Sequence, residues 1–195
     1  YFLNMVIEAP DPETKEMLDL LQREVTNAER IISDLLDFAR MKSPTRRTVA
    51  INEVVQETLS RIQIPEIIEV RSNLADELPV MLGDPGQLDQ IFSNIISNGI
   101  QAMPEGGKLT VETRLESPEW LAVTIADTGM GMSAETLAKI FEPLFTTKAK
   151  GIGLGLAIVK TLIEGQGGTV EVESKPAQGS SFTVRLPIQS EGKGT

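Results

Sequence analysis

Apolar residues at Leu18, Leu21, Val25, Ala28, Ile32, Leu35 and Ala39 are spaced three and four apart, the period of one helix face. Ile31, Leu36 and Phe38 widen this stripe beyond a two-stranded seam, which favours a helical bundle. The pattern predicts a helix over 12–42, with Asp11 capping it and Pro12 in its first position. Before it, residues 1–9 read as the end of another helix, broken by Pro10-Asp11-Pro12. Ser43-Pro44-Thr45-Arg46-Arg47 reads as a linker, so 1–42 is taken as a helical hairpin fragment and 43–50 as linker. A helix pair at one end of a linker calls for partners, and a homodimer is expected. The alternative is an amphipathic helix packed on its own domain.

Beyond the linker the period changes repeatedly. Helices are predicted over Asn52–Ile62, from Asp84-Pro85 to about Met103, and over Gly153–Glu164, with a short one capped by Ser133. Strands are predicted at Ile67–Asn73, 80–82, Thr169–Ser174 and Ser181–Pro187, with a hairpin of Leu109–Leu115 and Trp120–Ala126. The elements mix without strict alternation. That describes an α+β fold, a two-layer α/β sandwich with helices on one face of a sheet, over 51–188. Residues 189–195 form a polar tail.

Hydrophobic residues make up 41% of the 195 residues and aromatics only 4%, so aliphatic side chains must fill the core. The net charge of −10 argues against a general nucleic-acid or acidic-membrane binder. An anionic ligand would need a local cationic patch. No cysteine is present, which excludes disulfides and thiolate metal sites. No apolar run approaches the roughly 20 residues that span a bilayer. The chain starts within a pattern, so it reads as a fragment of something longer, with any membrane anchor upstream of Tyr1; a cytoplasmic location without membrane contact by these residues is expected. There is no histidine at all.

Three segments carry candidate chemistry. Asn94 and Asn98 lie one turn apart on a helix. Amide oxygens can complete the shell of a Mg2+ already held by phosphates, although two such residues also suit a solvated helix face. Asp127-Thr128-Gly129-Met130-Gly131 follows a strand; a carboxylate there can accept from an exocyclic amino group, and the glycines let the backbone pass close beneath a flat base. The alternative is a plain turn. The run Lys150-Gly151-Ile152-Gly153-Leu154-Gly155-Leu156 follows Lys148, and residues 146–163 hold three lysines and no acid. Backbone N–H groups and a helix start suit phosphates there; a flexible surface loop is the alternative. The dinucleotide fingerprint fails because its third glycine falls one residue early, at Gly155. The Walker A pattern is absent.

The order Asn94…Asn98, Asp127-x-Gly129-x-Gly131, Phe141-Glu142-Pro143-Leu144-Phe145 and Gly151-x-Gly153-x-Gly155 resembles the N, G1, F and G2 boxes of sensor histidine kinases. These belong to the ATPase superfamily of gyrase and the heat-shock chaperones. Arg23-Glu24-Val25 and the run from Ile31 to Arg40 resemble the second helix of their dimerisation and phosphoacceptor hairpin. The resemblance implies ATP and Mg2+ as cofactors and a response-regulator receiver domain as partner. It implies that Asn98 and Asn94 coordinate the metal and that Asn94 and Lys148 serve the transfer. Asp127, with Gly129 and Gly131, would hold the adenine. Lys148, Lys150, Gly151, Ile152, Gly153, Leu154, Gly155 and Leu156 would close over the phosphates as a lid, and Ser181 would line the adenine end. Three residues depart from the pattern. Ile152 replaces a frequent Thr and Gln166 a frequent His. Gly99 replaces a usual Ala, loosening its helix by about 0.5–1 kcal/mol.

Three readings follow: a histidine kinase, an ATPase driving conformational change, and a non-enzymatic nucleotide-binding or dimerisation module. The hydrolysing branches of the superfamily carry a Glu at the position of Asn94, and an amide cannot act as a base. The retained boxes weigh against the third reading. A kinase is therefore expected, with its acceptor histidine outside these 195 residues.

Overall fold

The computed structural model describes residues 13–22, 24–26, 44–148 and 151–188. The chain divides into two compact units, Tyr1–Met41 with Thr146–Ile152, and Lys42–Phe145 with Gly153–Thr195. In the first unit, residues 13–22 and 24–26 are helical, as the apolar period requires. Of the seam positions described there, Leu18 is buried, whereas Leu21 and Val25 are 49% and 57% exposed. The rest of the predicted helix, its Asp11 cap, the helix end at 1–9 and the polar tail lie outside the described residues.

The second unit runs β1 (Arg47–Val49), α1 (Ile51–Arg61), β2 (Ile68–Leu74), β3 (Met81–Gly83), α2 (Pro85–Gln101), β4 (Gly107–Ser117), β5 (Trp120–Asp127), α3 (Ala134–Leu137), α4 (Gly155–Gly165), β6 (Thr169–Ser174) and β7 (Ser180–Pro187). Five strands form one sheet in the order β2-β4-β5-β7-β6. β2 and β4 are parallel, and the other neighbours antiparallel. A parallel pair needs a crossover, and α2 supplies it. The stretch read as linker contains β1, which pairs antiparallel with β3, Arg47 opposite Gly83 and Val49 opposite Met81. Three residues whose partner is remote leave no local period, so the sequence did not show this strand.

α2 contacts α1, α4 and the strands β4 and β5. Its residues Leu88, Ile91, Phe92, Ile95 and Ile96 are all fully buried. Each contributes roughly 1.5–3 kcal/mol relative to exposure. On the sheet, Leu121, Val123 and Ile125 of β5 alternate toward the same helices, as do Phe182, Val184 and Leu186 of β7. The opposite face is polar. There Arg185 bonds Glu116 at 2.7 Å and Glu171 at 2.8 Å, and it holds the Glu116 carboxyl below its ordinary range. Helices on one face of a mixed sheet make the expected two-layer α/β sandwich.

Asp84 starts α2. Its Oδ1 accepts from the N–H groups of Gly86 at 2.9 Å and Gln87 at 3.2 Å, and its Oδ2 from Thr45 at 2.7 Å. Asp84→Ala strips this cap. Urea unfolding is expected to show a loss of about 1 kcal/mol, and an unchanged midpoint would mean that water replaces the cap at no cost. Behind it, Gln166 is buried. Its Oε1 accepts from the Asp84 N–H at 3.2 Å, and its Nε2 donates to Gln87 Oε1 at 2.7 Å. Gln166 thus ties the end of α4 to the start of α2.

Candidate functional site

β5 is the central strand, and Asp127 is its last residue. The strand alternation turns Asp127 toward the helices, where only 8% of it is exposed. Its Oδ1 accepts from the Gly129 N–H at 2.8 Å, which turns the chain sharply after the strand. Across from it stands Gly99 of α2. A Cβ on Gly99 would lie 3.4 Å from Asp127 Cβ and 3.2 Å from Leu109 Cδ1. The absence of that methyl lets α2 and the Asp127 side chain approach closely.

The loop glycines lie hard against neighbouring backbone. A Cβ on Gly129 would lie 2.4 Å from the Ala102 carbonyl oxygen. Gly131 has φ 62°, and a Cβ there would lie 1.9 Å from the Lys175 carbonyl oxygen. The Met130 N–H donates to Ala102 at 3.1 Å, and its carbonyl accepts from the Ala177 N–H at 2.7 Å. The loop is thus clamped between the end of α2 and the β6–β7 turn. Gly179 completes this packing, since a Cβ there would lie 1.9 Å from the Asp127 carbonyl oxygen.

Asn94 and Asn98 sit half-buried one turn apart on α2. Asn94 Nδ2 donates to the Gln90 carbonyl at 2.9 Å. Its Oδ1 lies 3.0 Å from where a Cβ on Gly155 would stand, so the start of α4 abuts this amide. α4 begins at Gly155, two residues later than the sequence reading. No side chain caps it and its first turn carries no acid, so its leading N–H groups and dipole favour an anion. Gly153 instead adopts φ 75° before the helix; its carbonyl accepts from the Leu144 N–H at 3.1 Å. Leu144 itself has φ 66°. Leu154 and Leu156 flank the helix start, the first buried and the second half-buried.

Ser181 is not beside Asp127. It pairs with Ala126, and strand alternation puts both on the other face of the sheet. The serine opposite Asp127 is Ser180, which is buried. A one-residue shift reverses the face in a strand, so the register places Ser181 away from the side of the sheet on which it was expected. Ser174, in the same row, ends an edge strand and carries no local signal in the sequence.

Lys148, Gly151 and Ile152 belong to the other unit. There the Thr146 hydroxyl accepts from the Lys148 N–H at 3.1 Å, and the Gly151 N–H donates to the Lys148 carbonyl at 3.3 Å. The Lys148 side chain is exposed. Lys150 lies outside the described residues. Lys160, counted in the cationic patch, stands over the Phe141 ring at 5.9 Å.

Among the described residues no cluster of three or more His, Cys, Asp or Glu could hold a metal ion. The donors present are neutral amides beside an anion-favouring helix start. Such a set suits a metal that arrives with phosphates rather than one bound by the protein alone.

Comparison with known proteins gives the family. Residues 83–190 match the family model described as histidine kinase-, DNA gyrase B-, and HSP90-like ATPase. The signal transduction histidine-protein kinase AtoS of Escherichia coli (strain K12) is 35% identical over 191 residues, covering 96% of this chain and 31% of that protein. Full-length ShkA in complex with AMPPNP superposes with a TM-score of 0.80 at 26% identity, over 95% of this chain and 41% of that one. The mycobacterial sensor histidine kinase MprB gives 0.66 at 27% identity, over 73% of this chain and 97% of that one. The chain spans less than half the length of curated relatives such as AtoS and sporulation kinase C of Bacillus subtilis (strain 168).

Proposed function

We propose, from the premise that this chain belongs to the histidine kinase-, DNA gyrase B- and HSP90-like ATPases and within them to the sensor histidine kinases, that it binds Mg2+-ATP and transfers the γ-phosphoryl group to a histidine. The observation that carries this reading is the convergence of Asp127, Asn94 and the uncapped start of α4 on one side of the sheet.

Asp127 accepts a hydrogen bond from the adenine amino group. The leading N–H groups of α4, with Gly153, Leu154, Gly155 and Leu156, face the phosphates. Asn94 and Asn98 would supply amide oxygens to Mg2+, which when bound would offset phosphate charge during transfer. Lys148, Lys150, Gly151 and Ile152 are assigned to a covering lid on the resemblance alone.

Asn94 cannot remove a proton from water, so hydrolysis lacks its base. A neutral imidazole is already a nucleophile and needs none. The phosphorus–oxygen bond to ADP breaks as a phosphorus–nitrogen bond to the imidazole forms. This favours a kinase over a hydrolase. The acceptor histidine lies outside these residues, since the chain has none. The phosphoryl group then passes to an aspartate of a response-regulator receiver domain. Exposed Leu21 and Val25 support a homodimer through the hairpin. No described helix is long and apolar enough to cross a membrane; on the kinase reading the chain works in the cytoplasm.

Nucleotide titration with and without Mg2+ tests the site. AMPPNP is expected to bind more tightly with the metal, and Asn98→Ala to reduce that gain about tenfold, the weight of one good charge-assisted contact. An undiminished Mg2+ effect in the variant would remove Asn98 from the metal site. Absence of AMPPNP binding by the unaltered chain would end the nucleotide reading.

A further inference from the structure

The base end of the site occupies one cross-strand row. On the helix-facing side of the sheet, the register sets Leu109, Asp127, Ser180 and Ser174 side by side on β4, β5, β7 and β6. Ser174 Oγ lies 2.9 Å from the Gly179 carbonyl oxygen, 2.8 Å from the Met132 nitrogen and 3.0 Å from Ser180 Oγ. A hydroxyl offers one proton and two lone pairs. The Gly179 carbonyl can only accept, so it takes the Ser174 proton. The Met132 N–H occupies one lone pair. The third contact is then completed by Ser180 donating to Ser174. The Ser180 proton therefore points along the row away from Asp127. Toward Asp127, Ser180 presents only lone pairs.

We propose that Ser174 is a positioning residue for base selection: it fixes the proton direction of Ser180, so that Asp127 and Ser180 together offer acceptors to an exocyclic amino group and reject a carbonyl. The inference rests on the nucleotide reading above and adds base selection to it. Ser174 also anchors the far end of the Asp127 loop through Met132, while Ala177 holds its middle through Met130. An adenine, with an amino group at this edge, satisfies the two acceptors. A guanine brings a carbonyl oxygen against them, and like faces like. With Ser174→Ala the Ser180 hydroxyl is released to turn and donate, and the preference weakens.

Calorimetric titration of the 195-residue chain with Mg2+-ADP and Mg2+-GDP tests this, with melting of the nucleotide-free protein as fold control. Ser174→Ala is expected to lower the ADP-to-GDP affinity ratio about tenfold, one hydrogen bond's discrimination. Ser174→Thr keeps a hydroxyl and is expected to retain the ratio. A purely structural serine would lower the melting temperature and both affinities together. An unchanged ratio in folded Ser174→Ala therefore overturns the proposal. If that variant melts before titration, Ser180→Ala takes its place and must lose the same ratio; an unchanged ratio there overturns the proposal equally. An unaltered chain that binds both nucleotides equally overturns base selection while leaving the phosphate site standing. One that binds neither overturns the nucleotide reading and this inference with it.

Discussion

Incubated with Mg2+ and ATP labelled at the γ-phosphate, this chain stays at background, and an added helical hairpin bearing a histidine becomes labelled. The effect is all or none, because the chain contains no histidine. Water is the remaining acceptor, and it goes unactivated. On the proposed reading Asn94 stands where hydrolysis would require a base, and its amide hydrogen-bonds the Gln90 carbonyl. An amide holds no proton-accepting pair of useful basicity at neutral pH. The label on the hairpin should be lost in acid and stable in base, as a phosphoramidate is. Stable, acid-labile label on this chain alone would sink the idea. Rapid phosphate release without the hairpin would return the chain to the hydrolysing branch of its family.

Asp127→Asn is expected to weaken ATP binding about a hundredfold, some 2–3 kcal/mol. The geometry makes this substitution sharper than a truncation. The amide oxygen of Asn can still accept from the Gly129 N–H, now made at 2.8 Å, so the loop keeps its turn. The other oxygen becomes an NH2 group. On the proposed reading a donor then faces the donor of the adenine amino group, and one favourable charge-assisted bond becomes a repulsive contact at a residue only 8% exposed. Melting of the nucleotide-free variant should change little. Unchanged ATP affinity would refute the role of Asp127 in base recognition. A collapse in melting temperature would instead show that the carboxylate's main work is to hold the loop.

Both expectations rest on residues that were visible in the sequence, but their neighbours were not. Asp127 was legible because a strand of alternating period ends on it and two glycines follow. Asn94 and Asn98 were legible because their spacing is one helical turn. The apolar faces of α1, α2 and α4 and the strands of the large sheet could be read for the same reason: a period of 3.6 or 2 is a local property of the chain. β1 has three residues and exists through its pairing with β3, thirty-odd positions away in the chain, so no local period announced it. Ser181 and Ser180 differ by one position, and only the register of β7 on β5 decides which faces Asp127.

The sequence by itself determined the fold class, the order of the four boxes, the absence of a histidine and the net charge that forces an anionic ligand onto a local site. These depend on composition, spacing and period, which folding does not alter. Tertiary structure alone decided that Gly129, Gly131 and Gly179 are glycines because neighbouring carbonyl oxygens occupy the space a Cβ would need. It alone brought Asn94 against the start of α4, and Ser174 into one row with Ser180 and Asp127. The physical reason is common to all of these. Close approach, register and the direction of a hydroxyl proton are set by groups far apart in sequence, and they come into being only when the sheet pairs and the helices close over it.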